Sequence, residues 1–397
     1  MKAMSSYLKQ PIDFARHNEE VRQVNEAFAA GKPIRVPMRV AGSITNYFHN
    51  PELNVNGYTF DQFFTDPEIQ IKAQLAYQYW RRHHLLDDTE KGLPDKWYLG
   101  VDFQNSYDAS WIGAPMHYQG LLLPDTLPIF DKHKEKLYDM PELMPVDNGL
   151  IGEGMAFIDY MEEYCKTHTF MDRPIAPPMA YPGEGTDGVL DLAYKLRGAA
   201  NLLVDMLEDE AYFADLMEWI TNNLIHRMKT LRDMHEKRWG NRPNGLYFAD
   251  DAICMISHEM YREYVLPYHK RIVDAFSGGK KISMHICGSN MQHFGGLVRE
   301  LNVGEFDTGF PIDFDRLRDD VGEDVIINGG PTVMCVKDGT PEEIRSEVKR
   351  ILASGAARSG RFVMIAANNL APCTPVENIA LMYETVREFG RYPITLA

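Results

Sequence analysis

The segment Lys281-Ile282-Ser283-Met284-His285-Ile286-Cys287-Gly288 reads as a short buried strand that runs into a tight turn. Strand side chains alternate between faces, so His285 and Cys287 fall on one side where the strand ends. An imidazole and a thiol aimed at one point are the donor mixture that zinc favours. A core cysteine beside a hydrogen-bonded histidine is the other reading of the same pattern. Downstream, a helix over 291–300 follows the strand, and strand 304–308 is followed by a helix over 313–320. Strand 324–328 then meets the turn Gly329-Gly330-Pro331. Thr340-Pro341-Glu342-Glu343 opens a helix over 341–354, with Thr340 as N-cap and Pro341 in the first turn, where its missing N–H costs nothing. Strand 362–367 leads through the loop 368–374 to a closing helix over 375–389.

Upstream, strands are expected at 33–40, 97–102, 174–181 and 246–251, and helices at 11–30, within 59–86, over 189–237 with a break near Asp209-Glu210, and from the N-cap Ser257 to Phe276, interrupted at Pro267. Eight strands alternating with helices and no obvious linker predict an α/β chain: a single (β/α)8 TIM barrel over 1–397. Residues 1–32 form a helical extension to it, and 103–150, after the second strand, form an insertion or lid rich in aromatics and turn formers. A doubly wound open sheet is the alternative, although no glycine-rich dinucleotide fingerprint follows any strand.

The net charge of −16 argues against nucleic acid or an anionic membrane as partner. Met1 to Arg16 lacks the apolar core of a signal peptide, and no 18-residue apolar run occurs, so a cytoplasmic protein is expected. Five cysteines in such a chain point to reduced thiols or metal ligands rather than a disulfide framework. Cys165 and Cys254 read as core residues, whereas Cys287, Cys335 and Cys373 each stand at or after the end of a predicted strand.

In a barrel, chemistry collects where strands end. That rim holds Asp102, the adjacent acids Asp250 and Asp251, then His285, Cys287, Asp307, Cys335 and Cys373. Neighbouring strands lie about 5 Å apart, so donors from several of them can converge on one zinc ion. Asp250 and Asp251 are the candidate catalytic acids, with helix capping as the bland alternative. Asp102, Tyr107, Trp111 and His117, at the start of the insertion, and Asn368, in the last strand-end loop, are candidate substrate contacts.

Taken together, His285-Ile286-Cys287-Gly288, Gly329-Gly330, Gly339-Thr340-Pro341-Glu342-Glu343, Thr374-Pro375-Val376-Glu377-Asn378-Ile379 and Asp250-Asp251 resemble the uroporphyrinogen decarboxylase superfamily over about residues 190–390. The pattern is closer to the cobalamin-dependent methyltransferases than to the decarboxylases. Arg39-Val40-Ala41-Gly42-Ser43-Ile44 lacks the second arginine of the decarboxylase segment, and Asn368 stands where the decarboxylases have a late histidine. The resemblance implies zinc held by His285, Cys287 and a later thiol. The methyltransferases' late cysteine also falls near Asn368, while the thiol here is Cys373. Asp307, Cys335 and Cys373 resemble instead the Asp/Cys/Cys zinc pattern of ether-cleaving O-demethylase enzymes. Which of these five residues hold zinc stays open.

The resemblance further implies methyl transfer between a small molecule and the corrinoid of a partner protein, since the chain carries no Asp-x-His-x-x-Gly run of its own. Ether cleavage, with zinc acting on the ether oxygen, is the favoured expectation. A methylcobamide:thiol methyltransferase is the alternative. A metal-free tetrapyrrole decarboxylase or an accessory binding protein is the reading from another class.

Overall fold

Five short strands, each adjacent in space to its neighbour in sequence, form the wall that carries the site. Their order is Phe362–Met364, Ile326–Gly329, Val303–Thr308, Ile282–Ile286 and Tyr247–Ala249, all paired in parallel. The computed structural model describes residues 7–395; residues 1–6 of the expected N-terminal extension lie outside them. Helices Phe294–Leu301, Phe314–Val321 and Pro341–Ala353 connect the strands. The last is capped as its sequence predicts, Thr340 and Glu343 exchanging side-chain and backbone hydrogen bonds.

Register explains which face the chemistry occupies. Phe248, Met284, Phe306, Ile327 and Phe362 lie in one row across the sheet, and all are fully buried. The next row reads Ala249, His285, Asp307 and Asn328, and the row before it Tyr247, Ser283, Glu305 and Ile326. Parallel sheets normally bury apolar residues on both faces. Here one face is polar: Glu305 accepts from Ser283 Oγ at 3.3 Å and from Asn328 Nδ2 at 2.9 Å.

The remaining expected strands are reduced. At the two edges the wall is prolonged by single parallel bridges, Met38 to Met364 and Thr186 to Phe248. Pro33 and Pro37 in one segment, and Pro174, Pro177 and Pro178 in the other, remove the donors a full ladder needs. Residues 173–176 pair instead with Trp97–Tyr98 in a separate three-stranded sheet. Beyond Tyr98 a helix takes the place of a strand partner. Gln70, Gln74 and Gln78, one turn apart on helix Pro67–His84, bond to the backbone of Asp102, Gly100 and Tyr98 at 2.7–3.1 Å. The architecture is therefore an α/β fold around a five-stranded parallel core, consistent with a barrel-like wall.

Three helical expectations also change. The segment 189–237 is three helices, Val189–Arg197, Ala199–Glu208 and Glu210–Trp239, because Gly198 adds a break at φ 83°. Pro267 is absorbed by a π-helical turn over Tyr261–Val265 ahead of helix Leu266–Phe276. Residues 103–150 hold a short helix, Tyr107–Ile112, and a hairpin, Met116–Gln119 with Leu122–Thr126. Among the described residues no helix is long and apolar enough to cross a membrane.

Candidate functional site

His285 and Asp307 share a register position on adjacent strands, and His285 Nδ1 lies 3.0 Å from Asp307 Oδ2. The other ring nitrogen, Nε2, faces Asp251 Oδ1 at 3.7 Å. Burial alone would lower the histidine's pKa, but the hydrogen bond to Asp307 and the charges of Asp251 and Asp307 outweigh it and raise it. Asp251 is itself held by the backbone N–H of Cys287, at 2.5 Å. Asp307 Oδ1 is buried and has no hydrogen-bond partner among the described residues.

Two acids clasp each other's backbone beside this pair. Asp250 accepts the N–H groups of Leu190 and Asp191, at 3.0 and 3.1 Å, at the start of helix Val189–Arg197. Asp191 in turn accepts those of Asp251 and Ala252, at 2.9 and 2.8 Å, where the turn Asp251–Met255 begins. Each carboxylate thus satisfies donors that a helix start leaves unpaired. Asp250 is fully buried and also bonds His269 Nε2 at 2.8 Å. Burial pushes both carboxyl pKa values up, and repulsion from the neighbouring aspartates adds to it. The expectation that Asp250 acts on substrate therefore gives way to its capping role, since it is sealed from the cavity.

The loop before that helix is pinned by a buried ion pair. Arg227 pairs with Asp108, bonds the carbonyls of Gly183 and Gly185, and stacks 4.6 Å over the Trp111 ring. Asp108 also accepts from Thr186 Oγ1 and from Asp187 N–H. Asp187 is thereby set against Lys195, its carboxylate 2.8 Å from Nζ. Burial raises the Asp187 pKa despite that partner.

These side chains line a cavity of about 500 Å³ at the strand ends, whose wall includes Tyr107, Tyr247, Asp251, His285, Asp307 and Asn368. A roomier groove of about 730 Å³ lies between the first and last helices. Its conspicuous charges, Glu20 and Arg387, already neutralise one another there, and no strand end reaches it. The smaller cavity is therefore the candidate site.

Among the expected substrate contacts, Tyr107 and Asn368 are in the lining. Trp111 is fully buried in the core, its indole N–H bonded to the Pro145 carbonyl. His117 is exposed on the hairpin, and Asp102 is tied to Gln104. Among the expected metal ligands, His285 and Asp307 touch each other. Cys287 Sγ accepts a hydrogen bond from Asn368 Nδ2 at 3.3 Å. Cys335 sits on the short helix Val333–Asp338, packed against the core. Cys373 is exposed, with its thiol directed to the His49 carbonyl. Among the described residues no three His, Cys, Asp or Glu side chains are grouped to hold a metal ion. As arranged, the described residues do not fit zinc.

Asp187, Asp191, Lys195 and Tyr247 belong to the site although sequence reasoning passed over them. Asp187, Asp191 and Lys195 stand four residues apart, a single helix-face stripe running out of a strand-end loop. That spacing was the available signal.

The uroporphyrinogen decarboxylase family model matches residues 186–389, the stretch that holds the five parallel strands and most of the cavity wall. A methylcobamide:CoM methyltransferase of Methanosarcina mazei is 24% identical over 136 residues, 34% of this chain and 38% of that protein. Its counterpart from Methanosarcina acetivorans is 26% identical over 139 residues with the same coverage. A uroporphyrinogen decarboxylase of Pelodictyon phaeoclathratiforme is 28% identical over 150 residues, 36% of this chain and 42% of that protein. The chain thus spans well under half the length of these curated relatives. A solved methyltransferase structure from Methanosarcina mazei superposes with a TM-score of 0.61, covering 93% of this chain and 98% of the other at 16% identity, a likeness of fold.

Proposed function

The chain belongs to the uroporphyrinogen decarboxylase superfamily, in its cobalamin-dependent methyltransferase branch, and from that premise we propose that it transfers a methyl group between the corrinoid of a partner protein and a small-molecule thiol. The observation that carries the reading is the His285–Asp307 pair in the cavity wall, with the second imidazole nitrogen directed toward Asp251.

A thiol becomes a strong nucleophile only as thiolate, so its proton needs a destination. His285 Nε2 takes it, and the imidazolium formed lies between Asp307 and Asp251, the carboxylates that already raise its pKa. The sulfur then forms a bond to the methyl carbon of the methylcobamide as the carbon–cobalt bond breaks. The electron pair of that bond stays on cobalt, which passes from Co(III) to Co(I). General-base help of this kind contributes about 10²–10⁴ in rate. Asp251 is positioned for its part by the Cys287 N–H.

Ether cleavage drew support from the aromatic insertion and from Asp307, Cys335 and Cys373 acting as one set, and both thiols of that set stand elsewhere. Zinc, as a Lewis acid on the bound sulfur or oxygen, would require these side chains to regroup. Porphyrinogen decarboxylation fares worse on charge. A polycarboxylate would meet four aspartates and a lysine already paired, with no arginine in the lining among the described residues.

The test supplies free methylcobalamin as the methyl donor and a series of small thiols, and follows cobalamin spectroscopically and S-methyl product by mass spectrometry. Protein-dependent transfer to at least one thiol is expected. No transfer to any thiol, from free methylcobalamin or from methylated corrinoid protein, would sink the reading.

A further inference from the structure

Building on the methyltransferase reading, we propose that the small molecule this cavity accepts is a cation, an ammonium-bearing thiol or its thioether, and not an anionic thiol. The charge of the lining is lopsided. Asp187, Asp191, Asp251 and Asp307 face one cavity, against Lys195 and His285. Neither base is free for an anion. Lys195 Nζ is spent on Asp187 and on the Asn105 carbonyl, and His285 is bonded to Asp307. With a neutral imidazole the four carboxylates and one lysine leave a formal deficit of three positive charges.

The same wall carries Tyr107, Tyr194 and Tyr247. Tyrosine beside carboxylate is the lining an organic ammonium prefers, since the ring attracts a cation without the hydration cost of a second charge. Burial, with repulsion from neighbouring aspartates adding to it, holds the Asp187 and Asp191 pKa values up, so full ionisation of the lining is unfavourable without added positive charge.

A divalent metal ion would supply positive charge too, but it needs oxygens converging at about 2.0–2.6 Å. Here each carboxylate is tethered separately. Asp191 holds two backbone N–H groups, Asp187 holds Lys195, Asp251 holds the Cys287 N–H and Asp307 holds His285. The charges therefore surround a space of about 500 Å³ instead of meeting at a point, which suits a ligand of several atoms.

The experiment uses the full chain and two unreactive thioethers of opposite charge, 2-(methylthio)ethylammonium and 2-(methylthio)ethanesulfonate, with Kd measured by calorimetry. The ammonium is expected to bind at least tenfold more tightly. Asp187→Asn and Asp307→Asn, each checked for folding by circular dichroism, should each narrow that ratio at least threefold. Equal or tighter binding of the sulfonate, or binding of neither compound, overturns the proposal. So does tight binding of zinc or magnesium alone that the ammonium does not compete with. Methylcobalamin assays separate this inference from the reading beneath it. Methyl transfer to 2-mercaptoethanesulfonate in preference to 2-aminoethanethiol rejects the charge inference and keeps the transferase. Ammonium-selective binding without transfer to any thiol keeps the charge inference and rejects the transferase.

Discussion

Two histidine–aspartate pairs lie close together in this fold, and by distance they are the same object. His285 Nδ1 is 3.0 Å from Asp307 Oδ2, and His269 Nε2 is 2.8 Å from Asp250 Oδ2. They differ in everything around that bond. The His269 pair is fully buried; Tyr261 Oη closes its second nitrogen at 3.1 Å, and two helix N–H groups occupy Asp250. Burial holds the His269 pKa down to about 3, so the ring stays neutral. The His285 pair is part-exposed at 14% and 33%, keeps one oxygen unpartnered and has its pKa raised. One pair has every donor and acceptor spent on architecture. The other keeps capacity for a ligand and for a proton, and such a difference in environment is what assigns acid–base roles.

The largest expected effect belongs to the sealed pair. Asp250→Ala leaves the Leu190, Asp191 and His269 N–H groups buried without an acceptor, and should lower unfolding free energy by about 3 kcal/mol. Urea denaturation measures it. A loss of less than about 1 kcal/mol would mean that Asp250 does not hold the helix start and His269 together.

His285→Ala should invert that outcome. Removing the base is expected to lower kcat/KM for thiol methylation about 100-fold, about 2.7 kcal/mol in the barrier, with stability changed by less than about 1 kcal/mol. If stability fell as far as in Asp250→Ala, the two pairs would be equivalent after all and the distinction would collapse.

How far this contrast can be read from sequence depends on the residue. The i, i+2 alternation along 281–287 and the regular strand spacing after it place His285, Asp307 and Asp251 at strand ends, where the structure has them. Position at a strand end does not decide which way a side chain turns. Cys335 enters a helix behind the N-cap Thr332, and Cys373 lies at φ 62° on a loop, so neither shares the space of His285. Asp250 and Asp251 are adjacent in sequence yet point to different sides, one into the clasp and one into the cavity. Only tertiary packing separates them. The expectation of parallel strands alternating with helices succeeds over residues 246–367, where the strand segments themselves are free of proline. It weakens at 33–40 and 174–181, where proline removes ladder donors, and beyond Tyr98, where Gln70, Gln74 and Gln78 substitute for a strand. Side chains mimicking a ladder leave no periodic signal in the segment they support.

The pH profile sharpens the contrast at intermediate size. If neutral His285 is the base, kcat/KM rises with pH through the His285 pKa, which lies above 6.5. Asp307→Asn removes the hydrogen bond and the charge that favour the imidazolium, so the pKa falls. The acidic limb should then move to lower pH by about one unit, about 1.4 kcal/mol. A limb that stays in place, or moves to higher pH, would show that another group sets it.

Tyr261→Phe asks the least of the structure and is the cleanest separator. It deletes one oxygen, leaving His269 Nδ1 without its donor inside a sealed pocket while the ring keeps its bond to Asp250. Stability should fall by about 1 kcal/mol, the usual net worth of one hydrogen bond. Kinetics should stay unchanged at every pH, because His269 is already neutral across the working range and no atom of Tyr261 lines the cavity. A shifted pH profile in this variant would couple the two pairs through Asp250 and Asp191, and the division between a structural and a chemical histidine would have to be redrawn as one continuous network.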